Sequence, residues 1–366
     1  MAAAPAELSI VVPTYNESGN VEEVVRRVDA ALAGVAWEVI FVDDDSPDGT
    51  AFAVRRLGQT DARVRSLRRI GRRGLSSACV EGMLASNARF IAVMDADLQH
   101  DPAVLPTMLR ILRDDAAELV VGSRYIQGAS VGEWSSRRLA VSRFAAALST
   151  FIMHQPISDP MSGYFMLKTE ILDACVRKLS TLGFKILMDI VSSSGRALRI
   201  AEVPIRFGSR RAGQSKLSGN VIWEHLLLIA DKLVGAYVPV RFLSFALIGA
   251  AGAIVHFLTL ITLFRLLGVP FPVGQAGATA VALIFNFSVN NVLTYTGQTL
   301  RGWSWIRGLA SFALACGIGA LANVGVASFL YGRNTPWQLS ALAGIALSAV
   351  WNYAVTARYT WRTVRQ

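Results

Sequence analysis

The chain has 366 residues, room for about two or three domains. It is 53% hydrophobic and only 17% charged, with 36 basic against 26 acidic residues and a net charge of +10. Soluble domains carry roughly 25% charged residues, so this composition excludes a disordered chain and points to a membrane part. The three cysteines, Cys79, Cys175 and Cys316, are far apart and odd in number. That excludes a disulfide framework or a cysteine-based zinc site.

The opening residues, MAAAPAELS, have neither the basic nor the apolar region of a signal peptide, so none is expected. Residues 8–13 read as a first strand and residues 19–32 as an amphipathic helix. A second strand follows at 38–42 and a short helix at 52–57. Further strands are predicted at 64–67 and 90–94, with a helix near 76–85 between them, and another strand at 119–121. This alternation argues a parallel, doubly wound sheet covered on both faces. In such sheets ligands bind beyond the carboxyl ends of the strands.

The unusual residues fall at those ends. Pro13-Thr14-Tyr15-Asn16-Glu17 follows the first strand. Asp43-Asp44-Asp45-Ser46-Pro47-Asp48-Gly49-Thr50 follows the second, and Asp95-Ala96-Asp97-Leu98-Gln99-His100 follows the strand at 90–94. Clustered carboxylates are costly without a cation. Asp95, Asp97 and Gln99 form an all-oxygen set, suited to Mg²⁺ or Mn²⁺ and not to zinc. Asp48-Gly49 reads as turn and capping chemistry. No G-x-G-x-x-G follows the first strand, which excludes a dinucleotide-binding reading. Gly71-Arg72-Arg73-Gly74 is either a turn or a loop approaching phosphate.

Basic residues appear where an acidic ligand can use them. Arg124 follows a strand, Arg138 and Ser142 share one face of a predicted helix, and Arg210 and Lys216 lie in a polar loop. Arginine grips phosphate in a fork, whereas lysine acts as a point charge. Residues 221–238 read as either an interfacial segment or an ordinary domain helix.

Beyond Val240 there are eight arginines, no lysine and no acid, which leaves 28 basic and 26 acidic residues before it. The high charge is therefore not a nucleic-acid footprint, and no nucleic-acid partner is expected. Four apolar runs, at about 242–264, 273–293, 309–331 and 338–357, approach the ~20 residues needed to cross a bilayer. Arg301, Arg307, Arg358, Arg362 and Arg365 border one side, against Arg265 and Arg333 on the other. By the positive-inside rule both termini and the first domain are cytosolic. Phe285-Asn286-Phe287 recurs as Trp351-Asn352-Tyr353, which predicts two similar helical hairpins running the same way. Asn286, Asn290, Asn291 and Asn352 read as interhelical hydrogen-bonding residues or as a polar path.

Together, Val12 through Glu17, the acidic strings after the second and fourth strands, and Gly122-Ser123-Arg124-Tyr125 resemble inverting GT-A glycosyltransferases of family 2. The string Asp43 to Thr50, Ser158-Asp159-Pro160-Met161-Ser162-Gly163-Tyr164-Phe165, and Arg210 through Lys216 resemble dolichyl- or polyprenyl-phosphate mannose synthases within it. The apolar half is similar to GtrA-type four-helix membrane domains. The resemblance implies a Rossmann-like, mostly parallel GT-A domain at 1–219, a linker or interfacial helix at 220–239, and an all-α domain of four transmembrane helices at 240–366. It implies that Pro13, Tyr15, Glu17, Val42 and Asp44 hold the nucleoside, and that Asp95, Asp97 and Gln99 ligate Mg²⁺ or Mn²⁺ with Ala96 lining the donor site. Arg124, Arg210 and Lys216 would neutralise the donor diphosphate or reacting groups, and Arg138 and Ser142 would hold the acceptor phosphate. Asp97, Arg124, Arg138 and Lys216 are the implied catalytic set. The implied reaction moves a hexose, mannose from GDP-mannose, to a polyprenyl phosphate at the lipid bilayer. Glucose from UDP-glucose, translocation of the lipid-linked sugar, and a homo-oligomer stand as alternatives or additions. Ser76 departs from the family's usual glycine.

Overall fold

The computed structural model describes residues 5–129, 155–180, 185–206, 240–295 and 299–361. The chain divides into two compact units, Met1–Lys232 and Leu233–Gln366.

In the first unit the strands are β1 (Leu8–Thr14), β2 (Trp37–Asp43), β3 (Val64–Arg68), β4 (Phe90–Val93), β5 (Leu119–Ser123), β6 (Phe165–Lys168) and β7 (Ile200–Pro204). They form one sheet in the order β3-β2-β1-β4-β6-β5-β7. All neighbouring pairs are parallel except the two made by β6, which runs antiparallel between β4 and β5. The helices are α1 (Val21–Ala31), α2 (Thr50–Gly58), α3 (Leu75–Leu84), α4 (Leu105–Arg113), α5 (Thr169–Cys175) and α6 (Ile186–Ser193).

Why the central strands carry almost no polar residue follows from their position. Every residue of β1 is buried, because helices cover both sheet faces. Ile10, Val12, Val39 and Phe41 point to one face, against Val21, Val24 and Val28 of α1 and Leu105, Met108, Leu109 and Leu112 of α4. Val11, Ile40 and Val42 point to the other, against Ala78, Cys79 and Met83 of α3. Burying each of the larger aliphatic side chains contributes roughly 1.5–3 kcal/mol. Helix α3 lies so close that a Cβ at Gly82 would come within 2.4 Å of Val11 Cγ1 and 2.7 Å of Val42 Cγ2. Glycine there is a packing requirement.

The second unit holds α7 (Val240–Leu260), α8 (Phe271–Leu293), α9 (Trp303–Tyr331) and α10 (Trp337–Val355). One π-helical turn, Ile261–Leu266, extends α7, and another, Thr356–Thr360, extends α10. Phe242–Leu266 and Ala276–Leu293 are long and apolar enough to cross a membrane, and little of either is buried within the protein. Apolar helices left uncovered in this way are stable in lipid. The helix expected from 309 begins six residues earlier, at Trp303, so Arg307 lies inside it.

The repeat seen in the asparagines extends through this whole unit. Ser244-Phe245-Ala246-Leu247 recurs as Ser311-Phe312-Ala313-Leu314, and Pro270 as Pro336. Each proline precedes a helix, and two residues before each lies a left-handed residue, Gly268 (φ 65°) and Asn334 (φ 62°). Ser244 bonds Thr294 at 2.7 Å, and the counterparts Ser311 and Thr360 bond at 3.0 Å. Phe245 meets its own counterpart Phe312 at 6.4 Å, and Tyr295 stacks on its counterpart Trp361 at 4.0 Å. Contacts between a residue and its own equivalent are what a two-fold axis produces. Asn286 serves this packing. A Cβ at Gly252 would lie 1.9 Å from Asn286 Oδ1, so the carboxamide is seated on the facing helix backbone.

Candidate active site

The carboxyl ends of β2, β1 and β4 lie side by side. The loops leaving β1 and β2 are laced together by side-chain bonds. The Asn16 N–H donates to Ser46 Oγ (3.0 Å), the Glu17 N–H to Thr50 Oγ1 (3.0 Å) and the Ser18 N–H to Asp48 Oδ2 (3.0 Å). Asp48 also accepts from the Thr50 N–H (3.0 Å) at the start of α2, beside Gly49 at φ +86°. Burial works against ionising Asp48, but the bonds from Thr50 and Ser18 outweigh it and hold its carboxyl below the usual range. Asp48-Gly49 is thus the turn and cap that its sequence indicates. Asp43 is fully buried and anchors the same loop through Thr14 Oγ1 and the Ser46 N–H.

Tyr15 lies beneath the Arg73 guanidinium, 4.6 Å from the ring centroid. Glu17 accepts from Asn20 Nδ2 at 2.7 Å. Pro13 pairs with Val42 across the sheet, and the Val42 side chain is fully buried in the core. Any part Val42 plays toward a ligand is therefore played by its backbone. Asp44 is buried, and burial pushes its carboxyl above the ordinary value, against the Gly74 N–H (2.8 Å) and the Arg69 guanidinium (3.0 Å), which pull it down.

On the other side of β1, the chain turns sharply after β4. Leu98 sits in the left-handed region (φ 64°), and the Gln99 N–H donates to Asp97 Oδ1 at 3.1 Å. Asp97 is 8% exposed, whereas the Asp95 side chain is 39% exposed. Ala96 is buried between them. His100 fixes the turn from beneath. The Asp95 N–H donates to its Nδ1 (3.0 Å), which places the ring proton on Nε2, and the ring stacks on Tyr164 at 4.9 Å. Burial pushes this histidine below its ordinary value, against the pull of Asp95 and Asp97. A Cβ on Gly163 would lie 3.4 and 3.6 Å from the two Asp95 oxygens, so glycine leaves room at that carboxylate.

Strand ends two apart are separated by about 10 Å. Asp44 and Asp95 follow strands that lie two apart in the sheet, as do Asp95 and Arg124. Arg124 forms a forked pair with buried Asp159, at 2.7 Å and 2.8 Å, and its backbone N–H also reaches Asp159. Asp159 lies in a loop that Ser162 ties to the Gly122 carbonyl at 2.7 Å. Burial opposes the Arg124 charge, and Asp159 more than restores it.

Of the residues singled out in the sequence, Pro13, Tyr15, Glu17, Val42 and Asp44 gather at β1 and β2. Asp95, Ala96, Asp97 and Gln99 gather after β4, and Arg124 stands after β5. Arg138, Ser142, Arg210 and Lys216 lie outside the described residues. Sequence reasoning gave no role to Asp43, Arg69, Asp159 or His100. Asp43, His100 and Asp159 each carried a local signal, their places in the quoted strings, whereas Arg69 carried none.

Among the described residues no three His, Cys, Asp or Glu side chains form a group able to hold a metal by themselves. Two carboxylates and an amide, one carboxylate well exposed, fit a hard divalent ion that keeps water and substrate oxygens as its remaining ligands.

Comparison with known proteins agrees with this architecture. Residues 9–176 match the family described as glycosyl transferase family 2, and residues 244–361 that described as GtrA/DPMS, transmembrane domain. The chain is 33% identical over 359 residues to a dolichol-phosphate mannosyltransferase of Pyrococcus furiosus, covering 98% of this chain and 100% of the relative. It is 33% identical over 228 residues to a polyprenol monophosphomannose synthase of Mycolicibacterium smegmatis, covering 61% of this chain and 85% of that one. A solved structure of glucosyl-3-phosphoglycerate synthase from Mycobacterium tuberculosis, in complex with Mn²⁺, UDP-glucose and glycerol 3-phosphate, is a more distant likeness. It is 18% identical, covers 63% of this chain and 79% of that one, and has a TM-score of 0.44. Matched from end to end by one relative, this membrane protein belongs to glycosyl transferase family 2, among the dolichol-phosphate mannosyltransferases that carry a GtrA/DPMS transmembrane domain.

Proposed function

We propose that the chain transfers mannose from GDP-mannose to a polyprenyl phosphate, with inversion at the sugar carbon. The observation that carries this reading is that Asp44, after β2, and Tyr15, beneath Arg73 from the loop after β3, gather to one side of β1, with the turn bearing Asp95, Asp97 and Gln99 after β4 on the other. A nucleoside diphosphate bridges such a distance, with its base toward β2 and its phosphates toward β4. The relatives' names supply the sugar and the lipid class.

Asp95, Asp97 and Gln99 would hold Mg²⁺ or Mn²⁺, which when bound stabilises charge on the departing diphosphate as a Lewis acid. His100 and Tyr164 keep the turn bearing these ligands rigid. Arg124, held in place by Asp159, presents positive charge beside Asp95. The acceptor is a phosphate monoester whose second pKa is about 6, so it is largely dianionic near neutrality. No strong base is needed, and the harder task is to bring two anions together in line. Arg138, Ser142, Arg210 and Lys216 are assigned to that task from the sequence alone.

Residues 240–366 are read as four membrane crossings, with the catalytic unit and both termini in the cytosol where the arginine excess lies. The test is incubation of membranes bearing the chain with a panel of labelled nucleotide sugars and a polyprenyl phosphate. Label from GDP-mannose should enter a single-sugar lipid. Label entering only from UDP-glucose would replace the donor assignment, and no lipid product from any donor would overturn the reading.

A further inference from the structure

Arg69 is the one fully buried arginine among the described residues of the core, with its side chain 2% exposed. It follows β3 directly, and neither the sheet nor the acidic turn after β4 accounts for it. A buried guanidinium costs several kcal/mol unless anions and acceptors surround it. Here they do. Nη1 donates to the Gly74 carbonyl at 3.0 Å and Nη2 to Ser77 Oγ at 2.7 Å. Nη1 also lies 3.0 Å from Asp44 Oδ1, and Nε lies 3.4 Å from Glu81 Oε1. Neither Asp44 Oδ1 nor Arg69 Nε makes a well-aligned hydrogen bond. The attraction between these groups is therefore chiefly ionic.

Asp44 stands at the end of β2 and Gly74 closes the loop that follows β3, while Ser77 and Glu81 lie in α3. The Arg69 backbone N–H is tied to the Asp43 carbonyl at 2.8 Å. The Gly74 N–H meets the second Asp44 oxygen at 2.8 Å. From the same loop, Arg73 covers Tyr15. Removing Arg69 would loosen the loop and take from Asp44 its nearest cation, while Glu81 keeps its 2.8 Å pair with Arg72.

We propose that Arg69 is a positioning residue of the donor site, fastening the loop from Arg69 to Gly74 onto the end of β2 and holding Asp44 as the carboxylate that accepts a ring N–H of the donor's nucleobase. This rests on the reading that Asp44 faces the nucleoside. The groups around Asp44 are Asp43 beside it, Arg69 and Arg73 from the loop, and Cys79 and Glu81 from α3. Burial already raises the Asp44 carboxyl, and Arg69 is one of the groups resisting that rise. Without Arg69 that rise is opposed only by the Gly74 N–H and Arg73, and protonation of the carboxyl becomes easier. The protonated carboxyl offers a hydroxyl where the base needs an acceptor.

The experiment is calorimetric binding of GDP to the full-length protein in detergent with Mg²⁺ present, at several pH values from 6 to 9. Arg69→Met is expected to weaken binding by about tenfold or more at the acid end, the worth of a hydrogen bond to a charged group. The gap should narrow as pH rises and Asp44 ionises, while wild-type affinity stays flat. Arg69→Lys, which keeps the charge, should stay within about threefold of wild type. Wild-type affinity in Arg69→Met, or a loss equal at every pH, would overturn the proposal. If Arg69→Met does not fold, Arg69→Lys decides, and a pH-independent loss beyond about tenfold counts against it. Asp44→Asn separates the two layers. GDP binding unchanged in that variant would remove the nucleoside reading of Asp44, whereas loss there with full binding in Arg69→Met would remove Arg69 alone.

Discussion

Asp159 is the residue whose removal most sharply separates scaffold from chemistry. Its side chain is 1% exposed and that of its partner Arg124 is 13% exposed, with two short bonds between them. Asp159→Ala strands a guanidinium in a buried setting. Breaking such a pair by removing one partner costs about 3–5 kcal/mol. In a unit of this size each kcal/mol is worth about 2–4 °C, so unfolding should fall by roughly 6–20 °C. The assay is thermal unfolding of the full-length protein in detergent, followed by tryptophan fluorescence. The double variant Arg124→Leu/Asp159→Leu removes both charges and should recover most of the loss. It should nonetheless transfer no sugar under the proposed role of Arg124 at the donor diphosphate. A fall below about 2 °C in Asp159→Ala would refute the buried-pair reasoning. Normal transfer by the stable double variant would confine Arg124 to the scaffold.

Two other outcomes follow from bonds elsewhere. Asn291 is 3% exposed, and its carboxamide accepts from Trp361 Nε1 (3.0 Å) and the Leu300 N–H (2.8 Å) while donating to the Leu300 carbonyl (3.0 Å). Asn291→Leu leaves those groups unpaired at about 1–3 kcal/mol each, discounted because the unfolded helices find other partners in lipid. Thermal unfolding in detergent should drop by several degrees, and an unchanged midpoint would contradict its role as the lock between the hairpins. Glu118 joins the starts of β5 and β7, and the Arg196 guanidinium draws its carboxyl down to about 2. A depressed carboxyl adds stability above its unfolded pKa, near 4.5, which is lost as pH falls toward 2. Glu118→Gln should therefore be less stable than wild type at pH 7, with the difference shrinking below about pH 4.5. A difference independent of pH would contradict the assignment.

How much was legible in the sequence depended on how local each signal was. Strands β1, β2, β4 and β5 stood out because burial on both faces leaves apolar runs such as Ile10 to Pro13 and Val39 to Val42, whereas the outer strand β3 alternates with arginines. Asp95 and Asp97 stood out because acids at a strand end are rarely tolerated without a purpose. Strand β6 is four residues long and slips antiparallel between two strands that precede it in the chain. No periodicity announces that insertion. The Arg124–Asp159 pair depends on it, since Asp159 stands in the approach to β6. Arg69 was hidden for a related reason, looking like one surface charge in an arginine-rich stretch until the fold buried it. In the membrane unit the repeated asparagines were visible. Their meaning needed the contacts of Phe245 with Phe312 and of Tyr295 with Trp361.

The most direct measurement is sugar transfer to polyprenyl phosphate by purified full-length protein, before and after exhaustive chelation and with Mg²⁺ or Mn²⁺ restored, beside folded Asp97→Ala. The account predicts that chelation abolishes transfer, that either ion restores it to wild type, and that Asp97→Ala stays inactive with both. Undiminished turnover after chelation, or normal turnover by Asp97→Ala, would contradict a cation site at Asp95, Asp97 and Gln99.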